Sequence, residues 1–234
     1  MSIKGLMNTI HISPFVKRVP IGCRLLDSML GGGVESGSVT LFYGEAGCGK
    51  TNICMQVAYN IIQSGKKVAY VDTEGLSYER LLQIFKDESL IKQLLVFQVH
   101  SFREQSQRVD QIAKIAKTGV LGLVIVDSMT MFYRLNYDNM ELRNDFIRQT
   151  EVLLNMARDY DVPVLITSQV YTNLTTGAIE FLGGHAMHHN AKTIIFINIS
   201  GGNGLRTANI IKHRSLPEGR SASFRITEDG VRDP

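Results

Sequence analysis

Gly44-Glu45-Ala46-Gly47-Cys48-Gly49-Lys50-Thr51 is the stretch on which the fold turns. The apolar run Val39-Thr40-Leu41-Phe42-Tyr43 leads into it, and Ile53, Val57, Ala58, Ile61 and Ile62 follow at helical spacing. Strand, glycine loop, helix is the setting that a phosphate-binding loop requires. Glycines let the backbone curl until successive N–H groups face one anion, and the helix that follows adds the positive end of its dipole. In this arrangement Lys50 reaches the outer phosphates and the Thr51 hydroxyl ligates Mg²⁺. The segment from Gly44 through Asn52 is therefore expected to line a nucleoside triphosphate, with ATP and Mg²⁺ as the bound species.

Working outward, strands and helices alternate. Lys67–Asp72, Leu94–Val99, Leu121–Asp127 and Pro163–Gln169 read as further strands, apolar and β-branched as burial on both faces demands. Helices are expected over residues 20–30, 49–64, 78–93, 103–118 and 141–160. Thr193–Ile199, Arg206–Ile211 and Ala222–Ile226 read as closing strands of antiparallel type. The fold class is α/β, a mostly parallel twisted sheet flanked by helices. Residues 1–18 read as an N-terminal arm and 19–234 as one core domain.

Polar residues then gather at the C-terminal edge of the sheet, where such sheets bind ligands. Asp127 ends a purely apolar strand, the position of the second carboxylate associated with Mg²⁺. Glu74 lies just past the second strand, placed to orient an attacking water. Gln169 tips the fifth strand, where an amide can bond a terminal phosphate and pass its presence to the segment that follows. That segment, 170–191, shows no clear period and reads as a long functional loop. Its His185, His188 and His189 have no carboxylate or cysteine beside them, so nucleic-acid contact or loop polarity suits them better than a metal. Lys212-His213-Arg214 leaves a strand near the chain end. Lys212 and Arg214 could reach a neighbouring subunit's triphosphate as fingers, and equally suit the polar end of a hairpin.

The bulk properties narrow the partners. The chain has 234 residues, 44% apolar and 20% charged, which suits one large α/β domain. No run approaches the roughly 20 apolar residues that span a bilayer, and the start has no signal-type core, so a cytoplasmic protein without membrane contact is expected. Cys23, Cys48 and Cys54 have no C-x-x-C spacing and read as reduced, buried thiols. The net charge of +3 is mild, yet no acid precedes Asp27 while Lys4, Lys17, Arg18 and Arg24 do. Clustered cations of this kind suit either a phosphate footprint or a solvated rim.

Tyr70-Val71-Asp72-Thr73-Glu74-Gly75, the Leu123–Ser128 strand end, Ile166-Thr167-Ser168-Gln169-Val170 and Gly22-Cys23-Arg24-Leu25-Leu26-Asp27 together resemble the RecA/RadA recombinase ATPase core. The resemblance runs from about Val19 to Asp233 and is closest to the short archaeal paralogues of that family, which lack the N-terminal helical DNA-binding domain. It implies a RecA-type P-loop ATPase core, with Glu74 as hydrolytic glutamate and Gln169 as γ-phosphate sensor. It also implies two DNA-binding loops, 128–140 and 170–191, with Arg134 the best cation of the first. The family implies DNA as partner, weak ATPase activity, and assistance to a RadA-type recombinase and a Holliday-junction resolvase. Two departures stand out. Residues 1–20 contain no Phe-x-x-Ala segment for linking subunits, and residues 75–80 are one shorter than usual on the adenine side.

The expectation is thus an ATP-binding accessory protein of DNA repair and recombination, single-stranded DNA preferred, with a homo-oligomer compatible. A KaiC-like signalling ATPase and a non-hydrolysing nucleotide-bound scaffold are the alternatives. The first predicts autophosphorylation without DNA affinity, and the second predicts that Glu74 is dispensable.

Overall fold

The computed structural model describes residues 16–135, 139–172, 177 and 179–234. Residues 1–15 of the expected arm, and 136–138, 173–176 and 178 of the two expected DNA loops, lie outside the described residues. The chain opens with β1 (Arg18–Val19), α1 (Arg24–Met29) and β2 (Val34–Glu35). Then come β3 (Val39–Tyr43), α2 (Lys50–Gln63), β4 (Lys67–Asp72), α3 (Tyr78–Phe85), α4 (Glu88–Ile91) and β5 (Leu94–Gln98). Next are α5 (Phe102–Ala116), β6 (Leu121–Asp127), α6 (Met140–Tyr160) and β7 (Val164–Ser168). The remainder is β8 (Val170–Thr172), β9 (Ile179–Phe181), α7 (Gly184–Asn190), β10 (Thr193–Ile199), β11 (Leu205–His213), β12 (Ser221–Thr227) and β13 (Gly230–Arg232).

One nine-stranded sheet, in the order β13-β12-β11-β10-β3-β7-β6-β4-β5, organises the molecule. Leu123, Val124, Ile125 and Val126 of β6 are all fully buried. Leu123 and Ile125 join the core shared with α2 and α3, and Val124 and Val126 join the core under α5 and α6. This two-sided burial explains why β6 reads as a continuous apolar run rather than an alternating one. Helix ends follow local chemistry. Ser101 caps α5 by accepting from the Glu104 amide at 3.2 Å, while Glu104 accepts from the His100 amide at 2.9 Å.

Two expectations are corrected. The helix read over 78–93 is broken: Lys86 adopts φ 58° and ends α3, and Asp87 caps α4 by accepting from the Ser89 amide at 2.8 Å. The closing strands β10, β11, β12 and β13 pair antiparallel with one another as expected, and β10 also joins the parallel part of the sheet through β3. The cause is the crossover: a parallel neighbour needs a connection of a dozen or more residues, and the segment between β7 and β10 supplies it. That segment is also not an aperiodic loop. It carries the antiparallel pair β8–β9 and the seven-residue α7, elements too short to show a period.

Candidate nucleotide-binding site

Between β3 and α2 the loop is shaped by close approach. Gly44 (φ 157°) lies so near β10 that an added Cβ would sit 2.2 Å from the Ile197 carbonyl oxygen. Gly49, at φ 108°, precedes the first turn of α2 in a conformation other residues avoid. Lys50 Nζ is buried and folds back over the loop, donating to the Gly44 carbonyl at 2.8 Å and the Glu45 carbonyl at 3.0 Å. Ala46 and Gly47 are exposed at the loop tip, and Cys48 is buried beneath it, where burial pushes its thiol up despite Lys50 alongside. Asn52 faces sideways: its Oδ1 accepts from Arg80 Nε at 2.7 Å. Arg80 in turn donates to the Thr227 and Glu228 carbonyls at 2.8 and 2.6 Å, which fastens α2 and α3 to the β12–β13 turn.

At the sheet rim Asp127 is the centre of a hydroxyl cage. Its Oδ2 accepts from Thr51 at 2.7 Å and from the Tyr70 phenol at 2.6 Å, and its Oδ1 accepts from Thr167. Tyr70 is wholly buried, and burial together with the Asp127 charge holds its phenol far above the usual range. A hydroxyl and a carboxylate side by side, both oxygen donors, fit Mg²⁺, which takes few protein ligands and fills its octahedron with water and phosphate. Asp72 is spent elsewhere, accepting from the amides of Glu74, Gly75 and Leu76 at 3.2, 2.9 and 2.8 Å.

Three residues singled out from the sequence meet in space. Gln169 Nε2 donates to Glu74 Oε1 at 2.8 Å, while Gln169 Oε1 accepts from Arg134. Beneath them runs a ladder of hydroxyls. The Ser128 amide donates to Thr73 Oγ1 at 2.8 Å, Ser128 Oγ lies 3.3 Å from Thr130 Oγ1, and Thr130 Oγ1 lies 3.2 Å from Ser168 Oγ. Ser168 Oγ lies 3.1 Å from the Leu182 carbonyl, beyond β9. The end of β4 is therefore connected, bond by bond, to the segment after β7.

The other candidates are placed as follows. His185 and His189 stack with ring centroids 6.2 Å apart, and His188 lies over Phe181 at 6.5 Å. Burial lowers His188 below the usual histidine range, and Lys212 adds to the effect. Among the described residues no group of three or more His, Cys, Asp or Glu gathers to hold a metal. Lys212 Nζ donates to the His188 and Ala191 carbonyls, the latter at 2.9 Å, and so closes the C-terminal end of α7. Arg214 pairs with buried Glu35 at 2.6 Å. Both cations sit at the far end of β11 from Arg206, so they do not approach this chain's own phosphate loop.

Two residues escaped the sequence reading. Tyr70 is one; the other is Arg206, whose guanidinium donates to the Gly47 carbonyl at 3.1 Å. Neither carries a local signal, because each meets the site only through strand order.

The sheet order, the glycine loop between β3 and α2, and the carboxylate at the end of β6 are those of a RecA-type fold. A family model described as Rad51 matches residues 15–234. The DNA repair and recombination protein RadB of Archaeoglobus fulgidus is 42% identical over 217 residues, covering 91% of this chain and 97% of that protein. The protein of the same name from Methanococcoides burtonii is 43% identical over 216 residues, covering 90% and 95%. A solved structure described as a RadB recombinase superposes with a TM-score of 0.83 at 35% identity, covering 92% of this chain and 99% of that one. The chain belongs to the Rad51 family, in its RadB branch. The signalling-ATPase alternative is thereby set aside.

Proposed function

We propose that this protein binds ATP with Mg²⁺, hydrolyses it slowly, and assists a RadA-type recombinase in DNA repair and homologous recombination by binding single-stranded or branched DNA in a nucleotide-dependent way. The observation that carries the reading is the Glu74–Gln169–Arg134 chain, which joins a hydrolytic position, a sensing position and the first loop across three strands.

In this reading the amides of residues 44–49 and Lys50 hold the phosphates, and Lys50 exchanges its two carbonyl partners for phosphate oxygens. Thr51 and Asp127 hold Mg²⁺, which neutralises developing charge on those oxygens when bound. Glu74 orients the attacking water, and Gln169 shifts its amide from Glu74 toward the terminal phosphate. That exchange frees Arg134 and alters the anchorage of the segment over 170–191. Lys212 and Arg214 serve a neighbour's site only in a homo-oligomer, after leaving His188 and Glu35. Such a finger contributes roughly 10³–10⁵ in rate, so an isolated chain turns over slowly. The work is assigned to DNA in the cytoplasm, with a Holliday-junction resolvase as a further proposed partner; among the described residues no helix is long and apolar enough to cross a membrane.

The test is single-stranded DNA binding with and without ATP·Mg²⁺ across a salt series. Affinity should rise with nucleotide and fall steeply with salt as counterions are released. Lys50→Ala should abolish the nucleotide effect. A response flat to both variables would refute the proposal.

A further inference from the structure

The closing strands form an outer wall for the glycine loop. Gly44 lies against the Ile197 carbonyl of β10, and a Cβ added at Gly49 would sit 2.7 Å from Ile226 Cδ1 of β12. Between these two contacts Arg206, the second residue of β11, reaches the exposed loop tip and donates from Nη2 to the Gly47 carbonyl at 3.1 Å. Its backbone is fixed, paired with Ile199 of β10 on one side and with Phe224 of β12 on the other. Nη1 donates to the Leu205 carbonyl at 2.9 Å, which holds the guanidinium in place. Arg206 Nε is buried with no hydrogen-bond partner among the described residues. A buried donor left unmet is unusual, and here the side chain leaves it so while reaching Gly47.

This bond has a geometric consequence within the loop. In a trans peptide the carbonyl and the following N–H point to opposite sides. Drawing the Gly47 carbonyl outward therefore turns the Cys48 N–H inward. There it donates to the Glu45 carbonyl at 3.2 Å, the same oxygen that takes Lys50 Nζ at 3.0 Å. A backbone amide and an ammonium that converge on one oxygen mark a place where a phosphate oxygen would meet both. A donor already held in position contributes more to binding than one that must first be ordered. A charge that merely adds to the positive field of the loop fits less well. The guanidinium stands on the far side of the Gly47–Cys48 peptide from that oxygen, and Lys50 already supplies a cation on the near side.

We propose that Arg206 is a positioning residue for nucleotide binding: it holds the Gly47–Cys48 peptide so that the Cys48 amide faces the phosphates. The inference rests on the ATP-binding reading above and adds to the site a residue more than 150 positions away in sequence.

The experiment titrates a non-hydrolysable ATP analogue with Mg²⁺ into the native chain and into Arg206→Met, by calorimetry and with the Cys48 amide followed by ¹⁵N NMR. Methionine keeps an unbranched apolar stem but has no donor. Arg206→Met should therefore bind the analogue at least about tenfold more weakly, the low end for one hydrogen bond to a charged group. In the native chain the Cys48 amide proton should shift downfield and exchange more slowly as the analogue binds. In Arg206→Met that response should be lost while the Lys50 amide keeps its own. Should Arg206→Met fail a thermal-melt check of folding, Arg206→Ala also removes the donor and takes its place. Native affinity in the variant overturns the proposal, and a lowered melting temperature with affinity unchanged would mark a merely stabilising contact. A Cys48 amide that does not respond in the native chain overturns it too, with no variant needed. Weaker binding in the variant with the Cys48 response intact would assign Arg206 a charge role alone and overturn the positioning. Failure of the native chain to bind the analogue at all would sink the ATP reading itself.

Discussion

Tyr70→Phe is the most informative single change in the site. The phenol donates at 2.6 Å to Asp127 Oδ2, the same oxygen that Thr51 reaches at 2.7 Å. Asp127 is only 4% exposed, so water cannot readily replace the lost donor. Phenylalanine keeps the ring in the core, which confines the loss to one charge-assisted hydrogen bond. Such a bond contributes about 1.5–3 kcal/mol. A chain of this size loses about 2–4 °C in Tm per kcal/mol, so the melt should fall by roughly 3–12 °C on those two ranges. The Asp127 carboxylate should also lose its fixed orientation toward Thr51, and the Mg²⁺ concentration needed for binding of a non-hydrolysable ATP analogue should rise several-fold. Circular-dichroism melts and Mg²⁺ titrations of analogue binding read the two effects. A double-mutant cycle with Asp127→Asn isolates the pair and should give a coupling above about 1 kcal/mol. Additive effects, or a Tm unchanged on Tyr70→Phe, would refute the reasoning.

Other outcomes follow from the same geometry. Gln169→Ala should leave ATP affinity within a few-fold but remove the nucleotide dependence of DNA binding, read by fluorescence anisotropy. Gly44→Ala drives a methyl onto the Ile197 carbonyl, 2.2 Å away, and should weaken ATP binding at least about tenfold by calorimetry. His213 is depressed below its usual 6.5, chiefly by burial, and its Nδ1 accepts from the Ser215 and Leu216 amides at 3.1 and 3.0 Å. The unfolded chain therefore takes up this proton first, so the contribution is complete above about pH 6.5 and is lost as pH falls toward the folded value. Denaturant midpoints measured from pH 7.5 down to 5.5 should decline, and more shallowly in His213→Asn.

Much of this was legible in one dimension because the strongest signals are local. The glycine spacing after Val39–Tyr43 fixed the loop, and the unbroken apolar runs of β4, β6 and β7 located the sheet. The losses have physical causes. Lys86 ends α3 in a left-handed conformation with neither glycine nor proline to announce it. The strands β8 and β9 have three residues each, below any period. Lys212 and Arg214 were visible as cations, but their tethers, the α7 carbonyls and Glu35, lie far off in sequence. Tyr70 looked like one more apolar strand residue until β4 was seen beside β6, in register at Asp72 and Asp127.

One pairing bears on how the region over 170–191 can behave. β7 and β10 lie on either side of β3, each hydrogen-bonded to it in parallel. The connection between them thus begins and finishes on neighbours of the strand that leads into the glycine loop, level with Tyr43 at one foot and with Thr40 at the other, so its two feet lie about 14 Å apart, two strand spacings across and three residues along. A stretch pinned at both feet cannot swing aside on one hinge, as a flap would. It stands on two posts, like the handle of a bucket, and each post shares its hydrogen bonds with the strand that leads into the glycine loop.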